Sequence, residues 1–133
     1  MTQHRPVVLV VDDEHSILAW LHQSLHEFGY AVLPAGDVSA ASKVLHNSKI
    51  DAVILDVRLA RESGLRVLQS CRADARYRDL PVLVLTGAQL TEDEEATIRT
   101  HQAYVFYKPE GTEVLVEALD RLLHRPPAVH PLL

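Results

Sequence analysis

Three short runs, Val7–Val11, Ala52–Leu55 and Val82–Leu85, consist of Val, Ile, Leu and Ala with no polar residue interleaved. A strand with one wet face alternates apolar and polar side chains. A strand without that alternation is covered on both faces, the condition of a parallel sheet enclosed by helices. Between the runs, apolar residues recur at helical spacing: Ile17, Leu18, Leu21, Leu25 and Phe28, then Ala40, Ala41, Val44 and Leu45, then Leu65, Val67 and Leu68. Two weaker strands complete the set. Ala31–Pro34 follows the helix exit Phe28-Gly29-Tyr30, with Pro34 pushing it toward an edge, and Tyr104–Tyr107 is aromatic and β-branched. Thr91-Glu92-Asp93-Glu94 is a capping-box signature. Thr112 and Glu113 open a last helix whose apolar face is Val114, Leu115, Ala118, Leu119 and Leu122. Strict alternation of five strands and five helices predicts an α/β fold: a doubly wound five-stranded parallel sheet with right-handed crossovers and helices on both faces. The ligand site of such a sheet lies at the carboxyl ends of its strands.

A chain of 133 residues, 47% hydrophobic and 23% charged, sustains one core without disulfides or a structural metal. Its one cysteine, Cys71, has no partner, which fits a reducing compartment, and no secretory-type leader is visible; a cytoplasmic location is expected. The balance of 13 Lys+Arg against 18 Asp+Glu gives a formal charge of −5, and no basic cluster suggests contact with nucleic acid. No run is long enough to span a bilayer. Pro126-Pro127 is expected to end the last helix, dividing the chain into a domain over residues 1–125 and a short Pro-rich tail over 126–133. No output domain is legible.

Polar residues terminate the apolar runs. Asp12 and Asp13 follow Val7–Val11, Asp56 follows Val53-Ile54-Leu55, Thr86 follows Val82–Leu85, and Lys108 follows Tyr104–Tyr107. A parallel sheet gathers these ends on one edge, bringing three carboxylates, a hydroxyl and an ammonium into one crevice. Three close carboxylates repel one another, and a hard divalent cation relieves the repulsion. Mg²⁺, which prefers one or two carboxylates with waters and a phosphate oxygen, is the expected ion.

The set Val-Asp12-Asp13-Glu, Leu-Asp56-Val, Leu-Thr86-Gly87 and Lys108-Pro109 resembles the receiver domain of two-component response regulators, in order and in gaps, over nearly the whole chain. The resemblance implies a flavodoxin-like strand order 2-1-3-4-5. It implies Asp56 as the phosphoacceptor, with Mg²⁺ held by Asp13, Asp56 and the backbone carbonyl of Arg58, and with Asp12 contributing through water. Lys108 would pair with a phosphoryl oxygen, and the Thr86 hydroxyl would bond another and draw its loop inward. Gly64 matches a loop glycine of the family, and Lys108-Pro109 resembles its Lys-cis-Pro turn. The implied partners are a sensor histidine kinase or histidine phosphotransfer protein and a downstream effector. Such a protein is a switch rather than an enzyme, with limited self-phosphorylation and autodephosphorylation.

The sequence departs from the family at three places. Leu59 and Ala60 replace the common Met-Pro, from which a less rigid loop is expected. Val105 occupies the usual position of the switch aromatic, with Tyr104 and Phe106 beside it, so the readout is expected to pass to Tyr107 or Tyr104. Strand alternation puts Tyr104 and Phe106 on one face and Val105 and Tyr107 on the other. Arg58, two residues after Asp56, places a cation at the site mouth.

Plainer readings stand beside these. Asp13 taken alone could cap the helix starting near His15. His22 and His26, one turn apart, could form half a zinc site, but no carboxylate or thiol completes it and a solvated face is expected. Glu92 to Glu95 read as an acidic helix start, with partner recognition a secondary reading, and Cys71 as packing. Two other functional classes compete: a metal-dependent phosphohydrolase with an aspartyl nucleophile, whose Asp-x-Asp-x-Thr run is absent at Asp12-Asp13-Glu14-His15, and a phosphorylation-independent receiver-like binding module.

Overall fold

The computed structural model describes residues 5–87, 89–107 and 111–124. The elements alternate without exception: β1 (Val7–Val11), α1 (His15–Glu27), β2 (Ala31–Ala35), α2 (Val38–Asn47), β3 (Ala52–Leu55), α3 (Leu65–Ala73), β4 (Val82–Thr86), α4 (Glu92–Thr100), β5 (Tyr104–Tyr107) and α5 (Thr112–Leu122). All neighbouring strands are parallel, in the order β2-β1-β3-β4-β5. Pro34 sits on the edge strand β2, where its missing N–H interrupts no ladder on the open side.

The runs without polar alternation are the central strands, and every residue of β3 and β4 is buried. One sheet face, including Leu9, Val53, Leu55 and Val84, packs on α2, α3 and α4 through Ala41, Leu45, Leu68 and Ile98. The other, including Val8, Val10, Ile54 and Leu83, packs on α1 and α5 through Leu21, Leu25, Leu115 and Leu119. Each wholly buried Leu or Ile contributes about 1.5–3 kcal/mol of transfer free energy, so this double cover is what holds the strand ends in place.

Local signals account for the helix ends. The α1 exit is a Schellman motif: Gly29 has φ 93°, and the N–H groups of Gly29 and Tyr30 donate to the carbonyls of His26 and Leu25. The α4 capping box is complete. The Thr91 hydroxyl accepts from the Glu94 N–H at 3.1 Å, and the Glu94 carboxylate accepts from the Thr91 N–H at 2.9 Å. Asp37 caps α2 by accepting from the Ala40 N–H at 2.7 Å.

Four expectations are corrected. Glu14, not Asp13, is the N-cap residue of α1, and it makes no side-chain cap bond; Asp12 Oδ1 instead accepts from the Glu14 N–H at 2.9 Å. On α5, Val114 is 45% exposed and Val116 is buried, because the inward stripe runs through 115, 116, 119 and 120. The helix itself ends at Leu122, before Pro126, and the 126–133 tail lies outside the described residues. Strands β2 and β4 each extend one residue further than expected, through Ala35 and Thr86.

Candidate functional site

Parallel pairing sets the height of each site residue. Val11 pairs with Leu55 across β1 and β3, so the residues that follow, Asp12 and Asp56, emerge level on adjacent strands. Backbone bonds fix both exits: the Asp56 N–H donates to the Val11 carbonyl and the Asp12 N–H to the Ala35 carbonyl, each at 3.0 Å. Asp12 is buried, Asp56 half-buried and Asp13 exposed. Thr86, at the end of the next strand, is 0% exposed. The sheet thus brings Asp12, Asp13, Asp56 and Thr86 to the carboxyl ends of three successive strands, as the sequence predicted. Lys108 and Pro109 lie outside the described residues.

The loop after Asp56 is held by its own backbone. Gly64 approaches so closely that an added Cβ would stand 1.8 Å from the Asp56 carbonyl oxygen, a distance no side chain can occupy. The Gly64 N–H donates to the Val57 carbonyl at 2.9 Å, Leu59 N–H to the Glu62 carbonyl at 3.2 Å, and Arg58 bridges antiparallel to Ser63. The Glu62 carboxylate accepts from the Val38 N–H at 3.0 Å, tying the loop to the start of α2. Leu59 is buried, so apolar contact and these bonds hold a loop that lacks the Met-Pro pair.

Arg58 makes the most extended contact of the site. Its N–H donates to Asp56 Oδ1 at 3.2 Å, while its side chain turns away toward α4. The guanidinium grips the Glu94 carboxylate in a two-pronged ion pair, with one nitrogen 2.9 Å from Oε1 and the other on Oε2. It also donates to the Gln89 carbonyl at 3.0 Å. The hydrogen bond from Arg58 is the largest influence holding Glu94 below the ordinary carboxylate value, and the same bond raises Arg58.

Sequence reasoning placed Arg58 at the site mouth but missed its pairing with Glu94, which it read as part of an acidic, capped helix start with partner recognition as a second role. Glu62 was also missed. No periodicity could have revealed either, since each partnership crosses from one loop to another element.

On β5, Val105 pairs with Val84 and packs, partly buried, against the core on the α2–α3–α4 face. Tyr107 pairs with Thr86 and is 47% exposed, whereas Tyr104 pairs with Leu83 at the opposite end. Phe106 packs on the α1–α5 face, the alternation expected of this strand.

Among the described residues, no three His, Cys, Asp or Glu side chains form a group that could hold a metal on their own. Mg²⁺ demands less, one or two carboxylates with waters and phosphate oxygens, and the donors at the ends of β1 and β3 are hard oxygen ligands of that kind. His22 and His26 stack with centroids 6.4 Å apart on an exposed helix face. Cys71 is buried, and burial pushes its thiol up to about 11, as suits a packing residue. No helix of the described residues is long and apolar enough to cross a membrane.

A five-stranded parallel sheet in the order 2-1-3-4-5, with acidic residues at the ends of its first and third strands, defines the class. The response regulator receiver domain model matches residues 8–120, and the chain belongs to that family. It is 35% identical over 118 residues to the response regulator MprA of a Mycobacterium species, covering 89% of this chain and 50% of the relative. It is 36% identical over the same length, with the same coverage, to the probable transcriptional regulatory protein TcrX of Mycobacterium tuberculosis. The chain therefore spans about half the length of these curated relatives. Among solved structures, the chemotaxis response regulator CheY4 of Vibrio cholerae superposes with a TM-score of 0.80 at 27% identity, covering 90% of this chain and 99% of that one. A response regulator receiver protein from Pseudomonas putida gives 0.81 at 30% identity with the same coverage. The chain is thus a receiver domain of the two-component response regulators.

Proposed function

We propose that Asp56 accepts a phosphoryl group from the histidine of a partner kinase or phosphotransfer protein, and that the acyl phosphate changes the surface offered to an effector. The observation that carries this is the level emergence of Asp12 and Asp56 on adjacent strands, with buried Thr86 on the next. A carboxylate oxygen of Asp56 attacks phosphorus, the P–N bond to the donor histidine breaks, and its electron pair stays on the imidazole nitrogen. In the reverse direction of the switch, water attacks the same phosphorus and restores the carboxylate with release of inorganic phosphate.

Receiver domains in general bind Mg²⁺ at this acidic site. Here Asp13, Asp56 and the Arg58 carbonyl would hold it, with Asp12 acting through water. The ion, when bound, supplies positive charge that neutralises phosphoryl oxygens during transfer. The Thr86 hydroxyl would take one phosphoryl oxygen and Lys108 another. Tyr107, level with Thr86 and exposed, fits the readout better than Tyr104, which lies at the far end of β5. The receiver would extend over residues 1–125 with 126–133 as a tail, and would act in the cytoplasm. With a formal charge of −5 and no basic cluster, contact with nucleic acid is not proposed for this chain.

Acetyl phosphate with Mg²⁺ should add one phosphoryl group to the intact mass. Asp56→Ala and a chelator should each abolish the gain. An unmodified wild-type mass under slow-hydrolysis conditions would instead favour a phosphorylation-independent binding module.

A further inference from the structure

The Arg58–Glu94 pair joins two loops that frame the site. Arg58 belongs to the β3–α3 loop, two residues beyond Asp56, and its backbone N–H already touches the Asp56 carboxylate. Glu94 belongs to the first turn of α4, and the Gln89 carbonyl that shares the guanidinium lies in the β4–α4 loop beyond Thr86. One cation thus fastens the start of α4 to the acceptor loop. The Arg58 side chain is 45% exposed, so it has room to leave.

We infer that Arg58 is an exchangeable latch: it holds the first turn of α4 through Glu94 while Asp56 is unmodified, and it transfers to the phosphoryl oxygens once Asp56 is phosphorylated, releasing that turn. This inference rests on Asp56 being the acceptor. The chemistry of competition supports the exchange. A phosphoryl group brings more negative charge and more acceptor oxygens than a carboxylate, and guanidinium pairs with both in the same forked geometry. The need for such a route is visible on β5. Val105, one strand over from Thr86, is aliphatic and packs partly buried against the core, so it offers no ring to swing between two positions. The readout proposed for Tyr107 lies on β5, whereas a tether on α4 itself that answers to charge is Arg58, whose backbone meets Asp56 and whose side chain meets Glu94.

Glu94 also closes the α4 capping box, and that gives a clean test. Glutamine serves the box as glutamate does, so Glu94→Gln removes the charge pairing and keeps the cap. The measurement is residue-resolved amide hydrogen exchange of residues 90–95, with and without beryllofluoride and Mg²⁺. Wild type, Glu94→Gln and Arg58→Met are compared, with intact mass after acetyl phosphate recorded on each. The wild-type first turn should exchange about two- to five-fold faster with beryllofluoride, the scale of an exposed ion pair. Both variants should exchange at the faster rate beforehand and respond little further. An adduct on Asp56 with unchanged wild-type exchange overturns the latch and leaves the acceptor reading standing. A variant that responds as strongly as wild type overturns it equally. No adduct on wild-type Asp56 overturns both readings.

Discussion

Two polar pairs bind distant parts of this chain, and they sit on opposite faces of the sheet. Tyr30 donates its hydroxyl to Asp120 Oδ1 at 2.5 Å across 90 positions, joining the start of β2 to α5, with both residues buried. Arg58 and Glu94 pair across 36 positions at the site, with the arginine half in solvent. In the first, water has been excluded, and breaking the pair takes a hydrogen bond from a buried carboxylate. In the second, water reaches the arginine freely while the Glu94 carboxylate is mostly covered. The pair on the α1–α5 face is shielded from water, and the pair on the α3–α4 face is the one inferred to exchange partners. A receiver needs both: a fixed platform for the carboxylates and one element free to report on them.

The comparison is sharpest at a point where the mobile side must also be rigid. Gly64 lies in the loop that carries Arg58, yet its backbone is pressed against the Asp56 carbonyl at a distance that excludes any side chain. Gly64→Ala should destabilise by about 3 kcal/mol, the upper range for overpacking, and should lower phosphoryl acceptance by displacing Asp56. Denaturant unfolding and the acetyl phosphate mass shift measure the two effects. A variant of wild-type stability would mean that the loop backbone yields, and the division between fixed backbone and movable side chain would fail.

On the other face, Tyr30→Phe should cost about 2 kcal/mol, because a buried acceptor loses a short hydrogen bond while the ring volume is kept. Its phosphorylation rate should be unchanged. If the loss is instead within a few tenths, the pair is no anchor and the contrast between the faces collapses.

The reach of the sequence follows the same division. Val7–Val11, Ala52–Leu55 and Val82–Leu85 were legible as strands because burial on both faces leaves its mark on every residue of the run. Asp12, Asp56 and Thr86 were legible because a parallel sheet must deliver the residues ending such runs to one edge. Val114 was misplaced because the inward stripe runs through 115, 116, 119 and 120, and only packing against α1 and the sheet decides which way a helix stripe faces. Arg58 and Glu94 were each noticed for a local reason, one as a nearby cation and the other as a cap. Their pairing depends on how far two loops project from the sheet, and neither propensity nor periodicity encodes that distance.

Breaking the exposed pair should barely change stability. Arg58→Met is expected to shift the unfolding free energy by less than about 1 kcal/mol, as for surface ion pairs in general, while still accelerating exchange in the first turn of α4. A loss as large as that for Tyr30→Phe would show that the pair is a structural tie rather than a switchable one.

The smallest effect is the acid titration of Glu94. The Arg58 hydrogen bond holds this carboxyl below its ordinary value of 4.5, against the opposing effect of burial and with help from the Thr91 N–H. A group whose folded value is depressed contributes stability above its unfolded value and loses it as pH falls through the folded one, so the contribution is present at neutral pH and fades only below about 4.5. Carboxyl-carbon NMR should place the Glu94 midpoint below that value in wild type. Arg58→Met should move it upward, though not fully, since Thr91 remains. Beryllofluoride bound at Asp56 should move it the same way if Arg58 has changed partners, without any substitution in the chain. A midpoint that rises in Arg58→Met but stays fixed with beryllofluoride would show that the ion pair exists and does not exchange, which would place the α3–α4 face with its opposite as a second fixed support.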